Sequence, residues 1–295
     1  MLILVSDAFD PSLPDRLKAF GEVTEDKARL SEASVVLVRS KTKCTQEYLD
    51  GAPHLKLIIR GGVGVDNIDT KYAASKGIVV RNTPKASSIT VAELAFAMMI
   101  AVPTRLIEGH MGMSDGRWEK DSLKRTELFG KTLAIVGMGN IATELAKRAA
   151  AFGMKVKAFR KSGAPSPDAQ VVPTLEEALA GADYISLHTP LTDDTRGLIN
   201  KDTIATMKKG AVLVNTARAG IVVPEDVKAA LESGQISWYC TDVWPKDPPA
   251  EDYPLLRAPH VLMVPHIGGN SKENLLRIGD EVVDIIGTMK KEGTL

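Results

Sequence analysis

The six residues GMGNIA (137–142) constrain the fold of this chain more than any other segment. They follow an apolar, strand-like run, TLAIV (132–136), and open an amphipathic helical pattern that leads to a second strand-like run, MKVKAF (154–159). A glycine-rich turn in that context is typical of a Rossmann unit that binds a dinucleotide. Gly137 permits the tight turn, and Gly139 lets the backbone approach a pyrophosphate.

The helix that begins after this turn offers free N–H groups and the positive end of its dipole to phosphates. We therefore expect Asn140 and Ile141, with the two glycines, to contact a cofactor. On the pattern alone, a glycine-rich turn without a nucleotide, or another Rossmann protein such as a methyltransferase, is the alternative.

The segment AFRKSG (158–163) ends the second strand-like run with two cations. In a NAD site an acid about 20 residues after the first glycine binds the ribose 2′-OH. Arg160 lies there, 23 residues after Gly137. A guanidinium cannot accept a hydrogen bond, but it can hold a 2′-phosphate, and Lys161 and Ser162 add donors. We favour NADP(H), with NAD(H) possible; a solvated cation pair at a strand end is the alternative.

Short apolar runs alternate with amphipathic ones along most of the chain, which predicts α/β structure with parallel sheets. A first unit occupies the first ninety residues, and a long helical pattern from 89 to 112 joins it to a second unit. The last segment (271–291) predicts a terminal helix that packs on one of the two. The predicted strands lie at 2–5, 34–38, 55–59, 77–80, 132–137, 154–159, 183–188, 211–216, 236–243 and 260–266.

Charge and composition restrict the partners of the chain. Its 295 residues include 37 Lys and Arg and 37 Asp and Glu, so the formal net charge is zero. A nucleic-acid-binding domain carries a basic excess, so no nucleic acid is expected. The longest apolar stretch (94–103) is too short for a membrane span. Two cysteines without metal-ligand spacing predict no metal site and favour a reduced, cytoplasmic protein.

Polar residues that follow the later strands suggest the chemistry. Arg218 and Asp247 follow predicted strands, and Asp242 and His266 lie at the ends of predicted strands. All four would lie at the carboxyl edge of the second sheet, where α/β sheets bind ligands. Hydride transfer to a 2-keto acid needs a cation for the carboxylate and carbonyl, and an acid for the developing alkoxide. A carboxylate beside the histidine favours the imidazolium and orients the ring.

Several longer motifs make the chain resemble the D-2-hydroxyacid dehydrogenase family over almost its whole length. They are RGGVGVDNID (60–69), NTPKASSITVAEL (82–94), DGRW (115–118), HTPLTDDTRGLI (188–199), NTARAGIV (215–222) and PHIGG (265–269). The resemblance implies a flavodoxin-like substrate domain (1–92 plus 271–295) and a Rossmann-type, doubly wound parallel-sheet cofactor domain (93–270). It also implies a ligand cleft between them and a homodimer formed through the cofactor domain.

The resemblance also implies residue roles. Arg218 would hold the substrate carboxylate and keto oxygen, His266 would act as acid and base beside the cofactor, and Asp247 would be its carboxylate partner. Backbone N–H groups of Val63 and Gly64 would cradle the substrate carboxylate. The further residues expected near the cofactor are His188, Thr189, Pro190, Thr216, Ala217, Asp242, which would meet the nicotinamide carboxamide, and Gly268.

Some positions depart from the family pattern. The family's glutamate partner of the histidine falls on Asp247, one methylene shorter, so either the loop moves inward or the contact is longer; Glu251 is a weaker substitute. The third fingerprint glycine is Ala142, which need only be small. Ser87 stands where the family commonly has Asn, and Ala219 stands where a glycine usually follows the arginine.

The resemblance leaves the substrate open. Arg39 and Arg60 match arginines that contact the substrate phosphate in the D-3-phosphoglycerate dehydrogenase branch, which makes 3-phosphoglycerate the leading candidate; solvated or ion-paired arginines are the alternative. Arg160 and Asp247 instead favour an NADPH-linked reductase of glyoxylate, hydroxypyruvate or a similar 2-keto acid. We expect no regulatory domain after residue 295. A dinucleotide-sensing corepressor with the same fold is the alternative of another class.

Overall fold

Strands and helices alternate along most of the chain, and the strands form two separate parallel sheets. The computed structural model describes residues 1–295. They divide into a first unit, 1–87 with 269–295, and a second unit, 88–268. The sequence predicts the two limits a few residues later, at 92/93 and 270/271. The second unit begins earlier because a helix that starts at Ser88 buries its side chains in the second core.

The chain contains twelve strands and ten α-helices. The twelve strands are β1 (Leu2–Val5), β2 (Glu22–Thr24), β3 (Val35–Val38), β4 (Leu57–Arg60), β5 (Val79–Asn82), β6 (Thr132–Val136), β7 (Lys155–Phe159), β8 (Gln170–Val172), β9 (Tyr184–Leu187), β10 (Ala211–Asn215), β11 (Ile236–Thr241) and β12 (Val261–Met263). The ten α-helices are α1 (Leu13–Leu17), α2 (Gln46–Asp50), α3 (Thr70–Ser75), α4 (Ser88–Ala101), α5 (Leu106–Ser114), α6 (Asn140–Ala151), α7 (Leu175–Leu179), α8 (Lys201–Ala205), α9 (Pro224–Glu232) and α10 (Lys272–Lys291).

The first sheet has the strand order β2-β1-β3-β4-β5, and all neighbouring strands are parallel. This is the flavodoxin-like order, so the predicted fold of the first unit is confirmed. Strand β2 was not predicted, because an edge strand of three residues that includes Glu22 and Thr24 has no continuous apolar run. The terminal helix α10 packs here: Ile278, Val282 and Ile286 are buried in the same core as β1.

The second sheet has the order β12-β11-β10-β9-β6-β7-β8 and is also parallel. Counted from β6, this is the Rossmann order 3-2-1-4-5-6 with a seventh strand added at one edge, which confirms the doubly wound fold. Successive side chains of β6 enter two cores, Leu133 and Ile135 on one face and Ala134 and Val136 on the other. Burying each of the larger side chains stabilises the sheet by about 1.5–3 kcal/mol.

The long helical pattern from 89 to 112 forms two helices, so the prediction of one helix is wrong. Pro103 has no N–H to continue the backbone hydrogen bonds, and Arg105 has a left-handed backbone with φ of 53°. Helices α4 and α5 meet at 67°. No single helix combines the length and apolar character needed to cross a membrane; only α4 and α5 taken together reach both.

Candidate active site

Four neighbouring strands of the second sheet end in polar segments at one edge. His188 follows β9, Thr216 to Arg218 follow β10, Asp242 follows β11, and His266 lies shortly after β12. Because these strands are parallel and adjacent, their carboxyl ends meet. Backbone bonds join the segments: the Asp242 N–H donates to the Asn215 carbonyl at 3.2 Å. The structure therefore brings the predicted polar residues of this unit to one sheet edge.

His266 and Asp247 form the chemically reactive pair at this edge. His266 Nδ1 lies 2.5 Å from Asp247 Oδ2, and both side chains are partly exposed. The contact shows that the loop of Asp247 lies inward far enough to offset the shorter acid. Glu251 is exposed and has no hydrogen bond or ion pair, so it does not substitute for Asp247. With Nδ1 engaged, Nε2 is the nitrogen left free for a ligand.

Asp242 holds the segment that carries His266. Its two carboxylate oxygens accept the N–H groups of Ile267, at 2.6 Å, and Gly268, at 2.7 Å. A Cβ on Gly268 would lie 2.7 Å from the same carboxylate, so a larger residue would displace the Asp242 side chain. His266 itself has a φ of 55°, which is unusual for a residue with a side chain. The loop geometry thus fixes His266, and the predicted contact of Asp242 with a nicotinamide carboxamide stays a prediction.

Burial raises the pKa of the Asp242 carboxyl, because the charged form loses its water. The two N–H donors from Gly268 and Ile267, together with the charge of His266, counter part of this effect. Asp242 is 2% exposed, so these backbone bonds replace the solvent that its carboxylate lacks. These bonds hold the backbone next to His266 in one position.

Arg218 is positioned by Asn215, a buried residue that is not among the predicted site residues. Asn215, fully buried, accepts the Ala217 N–H at 3.1 Å and donates to the Arg218 carbonyl at 3.0 Å. Its amide also reaches the Tyr239 hydroxyl at 3.2 Å. Asn215 opens the NTARAGIV motif, and a buried amide at a strand end was the available signal. These contacts set the turn on which Arg218 is presented.

The glycine turn has the steric properties that a dinucleotide requires. Gly137 has a φ of 91°, and a Cβ there would lie 2.8 Å from the His188 backbone. A Cβ on Gly139 would meet nothing within 4 Å, so the space beside this glycine is open. Ala142 is fully buried against the sheet, where a small side chain fits. Asn140 and Ile141 begin α6 just after the turn.

A buried hydroxyl beside the turn has no partner within the chain. Thr216 is 8% exposed, and its Oγ1 makes no hydrogen bond. An unpaired buried hydroxyl costs about 1–3 kcal/mol, so this oxygen suits a polar ligand atom. His188, half-buried, contacts Ser186 Oγ at 2.8 Å, and desolvation lowers its pKa to about 4. These residues fit the nicotinamide cofactor that the turn predicts.

The segment expected at the adenosine end offers one free cation. The Arg160 guanidinium, half-buried after β7, has no hydrogen bond or ion pair. Lys161 pairs with Asp194 at 2.5 Å, an exposed contact that the sequence did not predict. Ser162 Oγ accepts a weak bond from Ala164 N–H at 3.4 Å. Thr189 and Pro190 follow β9, where the Pro190 carbonyl accepts the Thr195 hydroxyl at 2.6 Å.

Arg39 follows β3 at the carboxyl edge of the first sheet. Its guanidinium donates to the carbonyls of Ala8, at 3.4 Å, and Gly269, at 3.1 Å, while Nε is buried without a partner. Burial lowers the pKa of this guanidinium, and the nearby Asp7 charge offsets part of the effect. Asp7 also accepts the Arg39 N–H at 2.6 Å. Arg39 therefore keeps unsatisfied capacity for an anion.

The loop after β4 carries Arg60, Val63 and Gly64. A Cβ on Gly62, which has a φ of 141°, would overlap the Arg60 guanidinium, so this glycine lets the arginine fold over the loop. The Thr83 hydroxyl accepts the Gly62 N–H at 2.7 Å. The N–H groups of Val63 and Gly64 have no acceptor within the chain. They are free to bind a ligand, and the predicted contact with a carboxylate stays a prediction.

Comparison with known proteins identifies relatives of both units. Residues 96–268 match the family described as D-isomer specific 2-hydroxyacid dehydrogenase, NAD binding domain. The chain is 42% identical to hydroxypyruvate reductase of Thermotoga maritima over 260 residues, which cover 87% of this chain and 85% of that protein. It is 38% identical over 296 residues to D-3-phosphoglycerate dehydrogenase of Methanocaldococcus jannaschii, covering 96% of this chain and 56% of the relative.

This chain spans about half the length of the D-3-phosphoglycerate dehydrogenases that it matches. Among solved structures, an acyclic imino acid reductase in complex with NADPH and D-Arg is similar, with a TM-score of 0.90 and 26% identity. The similarity covers 99% of this chain and 98% of that one.

Proposed function

Because this chain belongs to the D-isomer specific 2-hydroxyacid dehydrogenase family, we propose that it catalyses reversible hydride transfer between a nicotinamide cofactor and C2 of a 2-hydroxy or 2-keto acid. The observation that carries the proposal is the 2.5 Å contact of His266 Nδ1 with Asp247, at the sheet edge that also carries Arg218. An acid and a guanidinium serve the two needs of a keto group, protonation and charge stabilisation.

When bound, the reduced nicotinamide supplies the hydride that adds to C2. Arg218 holds the carboxylate and the keto oxygen of the substrate and stabilises the negative charge that develops on that oxygen. His266, with Nδ1 held by Asp247, donates a proton from Nε2 to the same oxygen and forms the hydroxyl group. In the oxidation direction, Nε2 accepts this proton.

Within this class, 3-phosphoglycerate is the substrate that we favour. The support is Arg39, whose half-buried guanidinium retains an unpartnered Nε, together with the neighbouring strand end that carries Arg60. A phosphate dianion would pair well with guanidinium groups. Glyoxylate or hydroxypyruvate is the second candidate, because the similarity to hydroxypyruvate reductase covers most of both chains.

We favour NADP(H) as the cofactor, with NAD(H) as the alternative. The support is Arg160, since a half-buried guanidinium without an internal partner suits a 2′-phosphate. Replacing Arg160 with Asp should shift the preference toward NADH by about tenfold or more, as expected for one charge-assisted contact. Lys155→Asp, an exposed cation at the start of β7, the strand that precedes Arg160, is the matched control and should not shift the preference. An unchanged cofactor preference in Arg160→Asp would show that Arg160 is a solvated cation that does not contact the cofactor.

One kinetic panel tests the proposed activity and the choice of substrate. Glyoxylate, hydroxypyruvate and 3-phosphohydroxypyruvate are each supplied with NADPH and with NADH, and absorbance is followed at the nicotinamide band. Arg39→Ala should raise KM for the phosphorylated substrate and leave the other two unaffected. No turnover with any substrate, together with tight cofactor binding, would exclude the enzyme and favour a dinucleotide-sensing binding protein.

We also propose that the chain forms a homodimer through the second unit. The support is a group of large apolar side chains on α5 and the segment after it, all at least 42% exposed: Leu106, Ile107, Met111, Met113 and Trp118. Soluble monomers rarely expose such contiguous patches. Trp118→Glu should give a monomer in sedimentation equilibrium, while Phe129→Glu, a similarly exposed aromatic on the same unit, should leave the mass unchanged.

A further inference from the structure

A cavity of about 310 Å³ lies at the amino edge of the second sheet, opposite the edge that carries the candidate active site. The first residues of β9, β10 and β11 line it, together with the segment after α4. Val102, Tyr184 and Val212 are almost fully buried and form apolar parts of its wall. Pockets for small ligands start at about this size.

The charged side chains of this cavity are nearly all positive. Asp183 is the only acid that lines it. The cations are Arg105, Lys124, Lys131, Lys208 and Lys209. Because the whole chain has a formal net charge of zero, this excess is local and is not a consequence of a basic protein. A concave surface lined by one sign of charge concentrates ions of the opposite sign.

Contacts within the chain neutralise only part of the excess. The Asp183 carboxylate accepts a hydrogen bond from Lys208 Nζ at 2.6 Å and lies 4.0 Å from Lys131 Nζ. Arg105 forms an ion pair with Glu108 at 2.7 Å. Burial acts to raise the pKa of Asp183, but the bonds from Lys208 and the Thr132 N–H outweigh it and lower the pKa. The single acid is therefore ionised and already shared by two lysines.

Two of the lysines remain entirely uncompensated. Lys124 and Lys209 line the cavity and take part in no ion pair or side-chain hydrogen bond. They lie far apart in sequence, so the fold brings them together. Arg105, which shares the cavity, has a left-handed backbone with φ of 53°, a conformation that costs a residue with a side chain about 1–2 kcal/mol. Such outliers cluster at ligand sites.

We propose that this cavity binds a small phosphorylated anion that carries at least two negative charges. Lys124 and Lys209 provide the uncompensated charge, and Lys131 and Lys208 provide further donors beside Asp183. The apolar wall excludes water from one side and strengthens these ion pairs. This site is separate from the glycine turn, which lies at the other end of β6.

The test is a calorimetric titration of the full chain with pyrophosphate, at constant ionic strength and with saturating nicotinamide cofactor. The cofactor occupies the glycine turn, and a parallel titration of Arg39→Ala identifies any binding at the substrate phosphate site proposed for the first sheet. The double variant Lys124→Glu/Lys209→Glu should weaken pyrophosphate binding at least about tenfold, since it reverses two charges at the site. Lys155→Glu/Lys201→Glu changes the same charge at exposed, unpaired lysines of the same unit and should stay within about twofold.

The double variant Lys124→Gln/Lys209→Gln removes the two charges without reversing them, so it serves as the test if Lys124→Glu/Lys209→Glu does not fold. It should also weaken pyrophosphate binding several-fold. Inorganic phosphate should bind less tightly than pyrophosphate, because it carries fewer charges to pair. Equal losses in the cavity pair and the control pair would overturn the proposal, since diffuse charge would then explain the binding. Absence of saturable binding of pyrophosphate to the unaltered chain would overturn it as well.

Discussion

The carboxyl edges of the two sheets follow the same plan but differ in what their polar groups contact. At the first edge, Asp7 and Arg39 bond mainly to backbone groups of the surrounding loops. At the second edge, His266 bonds to one carboxylate and keeps Nε2 free. A strand end can therefore supply fixed binding groups or a group that transfers protons. The second role requires a titratable side chain with one polar atom that is not bonded within the protein. We infer that the first edge binds and the second edge also performs chemistry.

Replacing His266 gives the largest expected effect and tests this difference directly. His266→Asn suits the left-handed backbone of this position, so the fold should persist. The loss of the general acid should lower kcat by about 10³-fold, or ~4 kcal/mol, while the dissociation constant of the cofactor stays the same. His260→Asn is the matched control, because His260 has nearly the same φ, 56°, but lies before β12. An unchanged kcat in His266→Asn would show that His266 does not transfer the proton.

The sequence was sufficient for the parts of the fold that follow from local pattern. Continuous apolar runs predicted every strand except β2 and β8, which have three residues each and lie at sheet edges. Apolar spacing does not predict the break between α4 and α5, although Pro103 lies there. Its position depends on the left-handed turn at Arg105, which no periodicity signals.

The candidate site was predictable in its residues and less so in its contacts. Each polar residue could be assigned to a strand end, but the 2.5 Å contact of His266 with Asp247 depends on the path of a loop. The support by Asn215 depends on how β10 and β11 pair, since its amide bonds to Tyr239 on the neighbouring strand. Contacts between residues distant in sequence are set by tertiary packing, which single residues do not encode.

His188, a second histidine at the edge of the second sheet, should make the free energy of unfolding depend on pH. His188 has a pKa lowered from 6.5 to about 4 by desolvation, so the unfolded chain binds its proton more readily between these values. The stability that neutral His188 contributes is present above about pH 6.5 and is lost as pH falls toward 4. The loss amounts to about 3 kcal/mol.

His188→Gln should remove this part of the pH dependence of the free energy of unfolding, measured by urea denaturation between pH 4 and 7. His110→Gln, an exposed histidine on α5, should leave it in place. The same slope in His188→Gln and in the unaltered chain would mean that the His188 imidazole stays hydrated in the folded protein.

Asp247 tests whether the second edge needs a charged partner for its histidine. Asp247→Asn keeps an acceptor near His266 Nδ1 but removes the charge that stabilises the imidazolium. A charge-assisted contact contributes about 1.5–3 kcal/mol, so kcat should fall about 10- to 100-fold. Asp247→Glu restores the charge with one more methylene and should recover most of the rate. Equal rates in the Asn variant and the unaltered chain would show that orientation alone suffices.

The smallest expected effect concerns Asp7, which tests the binding role assigned to the first edge. Asp7 accepts the N–H groups of Arg39 and Thr42 and the Thr42 hydroxyl at 2.7 Å. Asp7→Asn replaces one accepting oxygen with a donor, which should loosen the loop of Arg39 at a cost of about 1 kcal/mol. If this edge only binds, KM for a phosphorylated keto acid should rise about fivefold while kcat stays within about twofold.

Asp10→Asn is the control for Asp7, since Asp10 lies on the same segment and bonds only to Ser12 through its side chain. Its kinetic constants should not change. A fall in kcat in Asp7→Asn at unchanged KM would break the comparison, because it would place a contribution specific to the transition state on the first edge. The first sheet edge could then no longer be described as one that only binds the substrate.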